Sequence, residues 1–555
     1  MTLALTILCV VVPFGTSHAD VLRYHTVVLD EQNKILPWYT PYSNAYDHYI
    51  RTLWTWLTNS SNVPSNCSSC GGLPMYYLNC GHTDTCCPTT ADNAINDWGE
   101  KVPNFVDFGL KHYAYTGSTT AVTVAKNLVD YALANGLTSS GANWPNWPQT
   151  AANAGDTGLN GGGPWGDNDV HVDLGADMGA AFYKMYLYYG TAAYRTAAIN
   201  IADTLVAKRN ASANAAVSPW PFVVNSSTGA IGNGGRANYT SNWSGALELF
   251  DLLIDGGEPN AVAYTAARSA LQTWILQYPM QNGNWVDGHS DVLISGTSNK
   301  SNTGKSNMNL YILNNPSFDA NWQTHVVSLL DWTETYFVNI SSGDGLYNTA
   351  PRGQYYGAHI PGEQTAFDRR MGYQAARQAA EYAEAYLALG TASYKDLAYR
   401  GFNYNTYMMK STGQSSDGPT TSVGYWFGDI YAEAPRMYFH GFKAAPEWAP
   451  PGENHILYAK SVLKNVAYTS GSVRYTAASA AGTEYLRLAF LPDTVTINGR
   501  SLPLRSDLNA EGYVVSALGG GDYSVKIRRA QSGDVYLSGN NGTIQPSAPQ
   551  NLTVQ

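Results

Sequence analysis

Charged residues are scarce in this sequence of 555 residues. Asp, Glu, Lys and Arg make up 13% of it, about half the usual share, whereas Tyr (40) and Trp (15) are abundant. A net charge of −10 disfavours nucleic acid or an anionic membrane as a partner. A surface made polar by Tyr, Asn, Ser and Thr is typical of a secreted protein that handles neutral polar ligands.

Long apolar runs are also absent from the rest of the chain. After the N-terminal stretch, no apolar run reaches the roughly 20 residues that are needed to span a bilayer. Leu3 to Phe14 form an apolar stretch, and Ser17-His18-Ala19 has the small-x-small pattern of a cleavage site. Residues 1–19 are therefore predicted to be a signal peptide, although no Lys or Arg precedes the apolar stretch. We predict a secreted, extracellular and soluble chain that acts as a monomer, with no membrane partner.

Cysteine is rare, with six residues in the chain. One lies in the predicted signal peptide, and five lie close together: Cys67, Cys70, Cys80, Cys86 and Cys87. Their spacing also fits zinc ligands, but disulfides are favoured in an oxidising compartment. The pairing stays open. We assign residues 20–92 to an N-terminal lead-in that contains this Cys-rich loop.

Helical hairpins recur over residues 93–445. The helix pairs predicted most clearly are Val106 to Tyr115 with Val122 to Ala134, Leu174 to Tyr189 with Tyr194 to Lys208, Trp243 to Ile254 with Val262 to Leu276, and Arg369 to Leu389 with Tyr394 to Met409. Each first helix stops at Gly, which tolerates the left-handed C-terminal turn. Two partial patterns, Asp319 to Val338 and Ser422 to Phe442, bring the count to about six. Largely apolar first helices favour a closed ring that buries them, with an open superhelical array as the alternative.

The long loops predicted between hairpins (140 to 172, 210 to 242, 278 to 318 and 341 to 368) carry most of the Trp, Asp, His and Gly. We expect them to gather at one end of the ring, where loops on a rigid scaffold commonly bear function.

The hydrophobic period changes from about 3.6 to 2 after this region. Alternating runs from Ala467 onward, bounded by Gly, Asn, Asp and Pro, predict an antiparallel β-sandwich of about six strands over residues 453–538. Asn498-Gly499 is predicted to form a hairpin turn. Residues 539–555 are predicted to be a linker and the start of a possible fibronectin type III module.

The fold class is therefore α+β multidomain, an (α/α)6-type helical toroid followed by an antiparallel β-sandwich. This architecture resembles the (α/α)-toroid carbohydrate-active enzymes, which include six-hairpin glycosidases and toroid polysaccharide lyases. The resemblance rests on architecture over roughly residues 90 to 535 and on no diagnostic motif. It implies polysaccharide chemistry and carries over no catalytic residue.

The first candidate site is the stretch from Gly161 to Asp173, at the entrance of a predicted helix. It holds three carboxylates, an imidazole and an indole: Asp167, Asp169, Asp173, His171 and Trp165. One Asp would serve as a helix cap, and three exceed that need. We interpret the stretch as catalytic carboxylates beside the substrate-binding His171 and Trp165, in a sugar-sized cleft. The alternative is a cap with a calcium-bound loop.

The second candidate site is a Gly-rich loop that precedes the helix predicted from Arg369. Glu363 is the predicted general acid, since nearby aromatics would raise its pKa. The predicted substrate contacts are Tyr355, Tyr356, His359, Asp368 and Arg369. Asp368 is equally explained as a helix cap paired with an arginine. Trp243 and Trp285 are predicted sugar platforms, with core packing as the alternative.

We predict a glycoside hydrolase, whose two-carboxylate mechanism requires Asp167, Asp169 or Asp173 to lie within about 10 Å of Glu363. A polysaccharide lyase with a Tyr or His base is the alternative. Hydrolysis is favoured because no Lys or Arg lies between Ala151 and Tyr183. A non-catalytic carbohydrate-binding or surface protein is the second alternative. The expected partner is a polysaccharide or oligosaccharide, and no cofactor is expected beyond a possible structural calcium.

Overall fold

The computed structural model describes residues 20–62, 98–149, 168–231, 242–285, 299–340, 353–365, 370–419 and 427–539. The predicted signal peptide, the five clustered cysteines and the possible fibronectin type III segment lie outside these residues. None of the described helices is long and apolar enough to cross a membrane.

Twelve helices of 12 to 19 residues, and one of four, occur in the described ranges. They are α1 Ala45–Thr58, α2 Trp98–Thr116, α3 Thr120–Asn135, α4 Val172–Tyr189, α5 Ala192–Lys208, α6 Ser244–Asp255, α7 Ala261–Gln277, α8 Pro279–Asn282, α9 Asn302–Asn314, α10 Trp322–Thr333, α11 Gly372–Leu389, α12 Ala392–Thr406 and α13 Phe427–Ala444.

The four predicted hairpins correspond to α2–α3, α4–α5, α6–α7 and α11–α12. Three of them turn as predicted: Gly117, Gly190 and Gly390 have φ of 74°, 74° and 73°, and each donates its N–H to the carbonyl of a tyrosine four residues earlier. Only glycine adopts this left-handed conformation without a steric cost.

Helix α9 is a correction, because its residues lie in the segment 278 to 318 that was predicted to be a loop. Its sequence, NTGKSNMNLYILN, is polar in its first half and gives no continuous apolar stripe. Nevertheless Asn302, Lys305 and Asn309 are fully buried. Their side chains donate to Gln374 and Glu381 of α11, so no local pattern reveals that this helix belongs to the interior.

Six helices, named the inner helices here, contact one another in chain order: α2 with α4, α4 with α6, α6 with α9, α9 with α11, and α11 with α13. Helix α13 also contacts α2. The outer helices α3, α5, α7, α10 and α12 each pack on the inner helix beside them in the chain, and α1 contacts α12 and α13. The helices therefore form a toroid-like array.

Four short two-stranded sheets accompany the described helices. They are β1 Val21–Leu22 with β2 His25–Thr26, β3 Val28–Leu29 with β4 Ile35–Leu36, β5 Asp169–His171 with β6 Val223–Asn225, and β7 Gln354–Tyr355 with β8 Ala358–His359. All four pairs are antiparallel.

The C-terminal region contains nine strands: β9 His455–Ala459, β10 Leu463–Thr469, β11 Ser472–Ala477, β12 Gly482–Leu488, β13 Thr494–Ile497, β14 Arg500–Ser501, β15 Gly512–Gly519, β16 Asp522–Arg529 and β17 Gly533–Ser538. They form antiparallel sheets with the orders β10-β11-β17-β13-β14 and β15-β16-β12-β9. Both sheets contribute to one buried apolar cluster.

The alternating runs predict strands only from Ala467 onward, whereas β9 precedes this residue and β10 spans it. A bulge between Lys464 and Ala467 interrupts the alternation that marks a strand. The Asn498-Gly499 turn is confirmed: both residues have positive φ (49° and 77°), and β13 pairs with β14 across it.

Strand β9 joins the sheets to the helical array by contacting α2 and α13. The His455 ring stacks on Tyr115 at the end of α2, with centroids 4.1 Å apart. A ring nitrogen of His455 also lies 2.9 Å from the Tyr115 carbonyl oxygen. The C-terminal sheets therefore lie against the C-terminal end of α2.

Candidate functional site

A cavity of about 570 Å³ runs along the inside of the helical array. Its lining comes from all six inner helices and from β9, and it extends from the start of α4 to Asn314 at the end of α9. The volume lies within the range usual for small-molecule sites. Much of the lining is polar, which suits a hydroxyl-rich ligand.

The start of α4 forms one wall of this cavity. The chain enters the helix through β5, which pairs with β6 so that Asp169 lies opposite Asn225 and His171 opposite Val223. His171 and Asp173 line the cavity and are almost fully buried. The pairing with β6 fixes the direction in which this entrance approaches the helix.

Trp147 fixes the same entrance from the other side. Its indole N–H donates to the His171 carbonyl oxygen at 3.2 Å, and its ring lies against Gly175 on the first turn of α4. A Cβ at Gly175 would lie 2.3 Å from that ring, so the close approach requires glycine. The His171 ring itself packs edge-on against Phe222, at 4.6 Å between centroids.

Two carboxylates of α4 meet at one amide. The Asn242 Nδ2 donates to Asp173 Oδ2 at 3.1 Å and to Asp177 Oδ2 at 3.3 Å. The Asn307 Nδ2 in α9 donates to Asn242 Oδ1 at 3.2 Å. Asp173, Asp177, Asn242 and Asn307 all line the cavity, so a carboxylate pair faces its interior.

Asp177 is absent from the residues predicted from the sequence. Its sequence position could have identified it as a candidate, because Asp177 lies four positions after Asp173 and therefore on the same helix face. Gly245 at the start of α6 makes room for it: a Cβ there would lie 1.7 Å from Asp177 Oδ1. Gly245 thus lets the carboxylate reach the first turn of α6.

Glu363 is held by residues other than those that bind this pair. It is buried, it accepts a hydrogen bond from the Tyr373 hydroxyl at the start of α11, and its backbone carbonyl accepts from the Asn302 N–H at 2.8 Å. Glu363 is not among the described residues that line the cavity. Its predicted pairing with the first cluster stays a prediction.

The other described residues of the second cluster contact residues outside the cavity lining. The hairpin β7–β8 contacts the outer helix α12, and Tyr356 donates its hydroxyl to Asp20 at 2.6 Å. Tyr355 packs against Tyr356 and Tyr404. A ring nitrogen of His359 lies 2.8 Å from Glu334 Oε1. These three side chains are not in the lining of the cavity.

The two predicted tryptophan platforms that are described are both buried. Trp243 is fully buried, with its ring 5.2 Å from that of Trp220, and Trp285 is 1% exposed. Neither lines the cavity, and neither does Asp169. Asp167, Trp165, Asp368 and Arg369 lie outside the described residues.

Basic side chains line the cavity in spite of the low charge content of the sequence. They are Lys111, Lys184, Arg268, Arg377, Arg436 and Lys460. The absence of Lys and Arg between Ala151 and Tyr183, which favoured hydrolysis, therefore does not extend to the rest of the cavity lining. Within the described ranges, no group of three or more His, Cys, Asp or Glu residues is placed to hold a metal ion.

Asp107 of α2 lies at the centre of the basic residues. Its carboxylate accepts from Lys111 and lies 3.8 Å from Lys184 Nζ and 3.3 Å from Arg436 Nη1. Burial acts to raise the pKa of Asp107, but these three charges hold it well below its usual range. Asp107 is therefore an ionised carboxylate surrounded by cations.

No family model matches this chain, and no curated protein matches it. Among solved structures, it is similar to D-mannose isomerase (12% identity, 73% of this chain and 99% of that one, TM-score 0.49). It is also similar to cellobiose 2-epimerase from Bacillus thermoamylovorans B4167 (12%, 73% and 100%, TM-score 0.48). A third is a family 76 glycoside hydrolase from a bovine Bacteroides thetaiotaomicron strain (10%, 71% and 76%, TM-score 0.43).

The similar structures are (α/α)6 toroid enzymes that act on carbohydrates, which is the architectural resemblance predicted from the sequence. At these identities and TM-scores they assign neither a reaction nor a substrate to this chain.

Proposed function

We propose that this protein is a glycoside hydrolase that binds a saccharide in the axial cavity and cleaves it with Asp173 and Asp177. The observation that carries the proposal is the shared amide of Asn242, which donates to both carboxylates at the cavity wall. In this proposal the inner helices form a closed (α/α)6 ring beside a β-sandwich, and the protein is secreted.

Hydrolysis of a glycosidic bond needs one carboxylic acid to protonate the leaving oxygen, and a second carboxylate that activates water or attacks the anomeric carbon. Asp173 is the more buried of the two and is assigned the proton donor role. Asp177 is assigned the second role, because Gly245 leaves its carboxylate room beside the cavity. Asn242 fixes the orientation of both.

His171 and Arg377 are assigned to substrate binding. The His171 ring nitrogen Nδ1 lies 4.0 Å from Asp173 Oδ1, and Arg377 reaches the same cavity from α11. Glu363 is assigned a positioning role through its bond with Tyr373, which also packs near the Arg377 guanidinium at 5.9 Å.

The second candidate function is a polysaccharide lyase. Elimination needs a cation to neutralise a uronate carboxylate and a base to remove the adjacent proton. The basic residues of the cavity wall favour this candidate, with His171 as the base.

A panel of neutral and uronic polysaccharides distinguishes the two reactions. New reducing ends without ultraviolet absorbance of an unsaturated uronate support hydrolysis, whereas that absorbance supports elimination. Asp173→Asn and Asp177→Asn should each lower kcat by about 10²- to 10⁴-fold. Glu31→Gln, at an exposed position, is the control and should retain full activity. A large loss of kcat in Glu363→Gln, with activity retained in Asp177→Asn, would show that Glu363 and not Asp177 belongs to the catalytic pair.

A further inference from the structure

We infer that Lys111, Lys184 and Arg436 form a binding site for an anionic group of the saccharide, a carboxylate or a sulfate, in the middle of the cavity. The inference rests on the proposed function, since it names the substrate class that this cavity would take. The three cations come from three inner helices, α2, α4 and α13, and all line the same cavity.

The first argument is the charge of this site. The three cations surround Asp107, and Lys184 also lies 2.8 Å from Glu248. Glu384 is outside the cavity lining and is paired with Lys443 and His440. In the part of the chain that the structure describes, three cations thus meet two carboxylates, which leaves one positive charge.

The second argument is the number of hydrogen-bond donors. An ammonium has three N–H donors and a guanidinium has five, so the site has more donors than the two carboxylates can accept. Charge-assisted bonds to a carboxylate or sulfate would use the remaining donors. A neutral hydroxyl would leave the excess positive charge in place.

The Lys111 ammonium supports this argument. Burial lowers its pKa, and the charges of Arg436 and Lys184 lower it further, against the attraction of Asp107. Lys184 differs, because Glu248 and Asp107 together raise its pKa in spite of burial. Asp107 therefore does not fully offset burial and the two neighbouring cations at Lys111, and a bound anion would add compensating charge.

The third argument is the position of the site relative to the proposed catalytic pair. Asp177, Ala181 and Lys184 of α4 all line the cavity, and their spacing of four and seven residues places them on one helix face. A rise of 1.5 Å per residue puts Lys184 about 10 Å deeper than Asp177. The small Ala181 between them leaves room for a sugar, so the anionic group belongs to a sugar next to the one that reacts.

Calorimetric titration of the full chain with four probes tests the inference. The probes are methyl β-D-glucuronide, glucose 6-sulfate, methyl β-D-glucoside and the methyl ester of the glucuronide. The glucuronide or the sulfate should bind at least 10-fold more tightly than the uncharged probes, and added salt should weaken this preference. Equal affinity for charged and uncharged probes would overturn the inference.

Lys184→Gln should reduce the preference for the anionic probes about 10-fold, and Lys184→Arg should restore most of it. The control is Lys126→Gln, which removes a cation from the outer helix α3 where Lys126 pairs with Asp130; it should leave binding unchanged. The thermal midpoint of each variant shows whether it folds. An unchanged preference in a folded Lys184→Gln would also overturn the inference.

The measurements distinguish a failure of this inference from a failure of the proposed function. Hydrolysis of neutral saccharides without preference for anionic probes would leave the function intact and remove the anion site. Tight binding of the glucuronide that survives in Asp177→Asn, with no saccharide cleaved by the wild type, would leave the anion site intact and remove the function.

Discussion

Lys305 of α9 and Glu381 of α11 form an ion pair in which neither side chain is exposed to solvent. The Lys305 ammonium lies 3.0 and 2.8 Å from the two carboxylate oxygens, and Asn309 donates to one of them at 2.6 Å. Burial lowers the pKa of Lys305. The pair connects two inner helices whose contact faces are polar.

Removing one partner of this ion pair should be much more harmful than removing both. Lys305→Met should lower the free energy of unfolding by about 3–5 kcal/mol, because it leaves the Glu381 charge buried and unpaired. The double variant Lys305→Met/Glu381→Leu should recover most of this loss. Urea unfolding followed by tryptophan fluorescence measures both, and equal losses in the single and double variants would contradict the expectation.

Gly245→Ala should displace the Asp177 carboxylate, because the added Cβ would lie 1.7 Å from its Oδ1. A misplaced catalytic group commonly costs about 10²-fold, so kcat should fall by roughly that factor. Alanine favours a helix over glycine by about 1 kcal/mol, which limits the loss of stability. Gly141→Ala is the matched control, because its Cβ would meet nothing within 4 Å. Full activity in Gly245→Ala would separate Asp177 from catalysis.

Trp147→Phe should loosen the entrance to α4. The substitution removes the N–H that donates to the His171 carbonyl, and the loss of a hydrogen bond costs about 0.5–1.5 kcal/mol. We expect a lower thermal midpoint together with a higher KM, since His171 lines the cavity. The control is Trp322→Phe on α10, a half-buried indole away from the cavity lining. Equal changes in the two variants would argue against a specific role of Trp147.

Acid should destabilise the protein through Glu384. Burial acts to raise its pKa, but the Lys443 charge and the bond with His440 lower it to about 2, from an ordinary value of 4.5. A carboxyl whose folded-state pKa is depressed stabilises the fold above its unfolded pKa and loses that contribution as pH falls. The thermal midpoint should therefore drop between about pH 4.5 and 2. Glu384→Gln should flatten this part of the pH profile, and an unchanged profile would contradict the assignment.

Local patterns in the sequence predicted most of the elements. Apolar residues at helical spacing located α4 and α11, and the glycines at 190 and 390 marked their ends, because both signals depend on neighbours in the chain. Period-two alternation likewise located β11, β13 and β16 within a few residues. Asp173 was found among the candidates because its helix entrance is rich in polar residues.

The sequence by itself determined where the chain forms helices and strands, since hydrogen bonding and side-chain direction repeat every few residues. The tertiary structure alone decided which polar residues face each other: Asn242 reaches Asp173 across 69 positions and Lys305 reaches Glu381 across 76. The first contact holds Asp173 at the cavity wall, and the second joins the inner helices α9 and α11. No local pattern encodes them, because a buried polar side chain is stabilised by a distant partner and not by its neighbours in the chain.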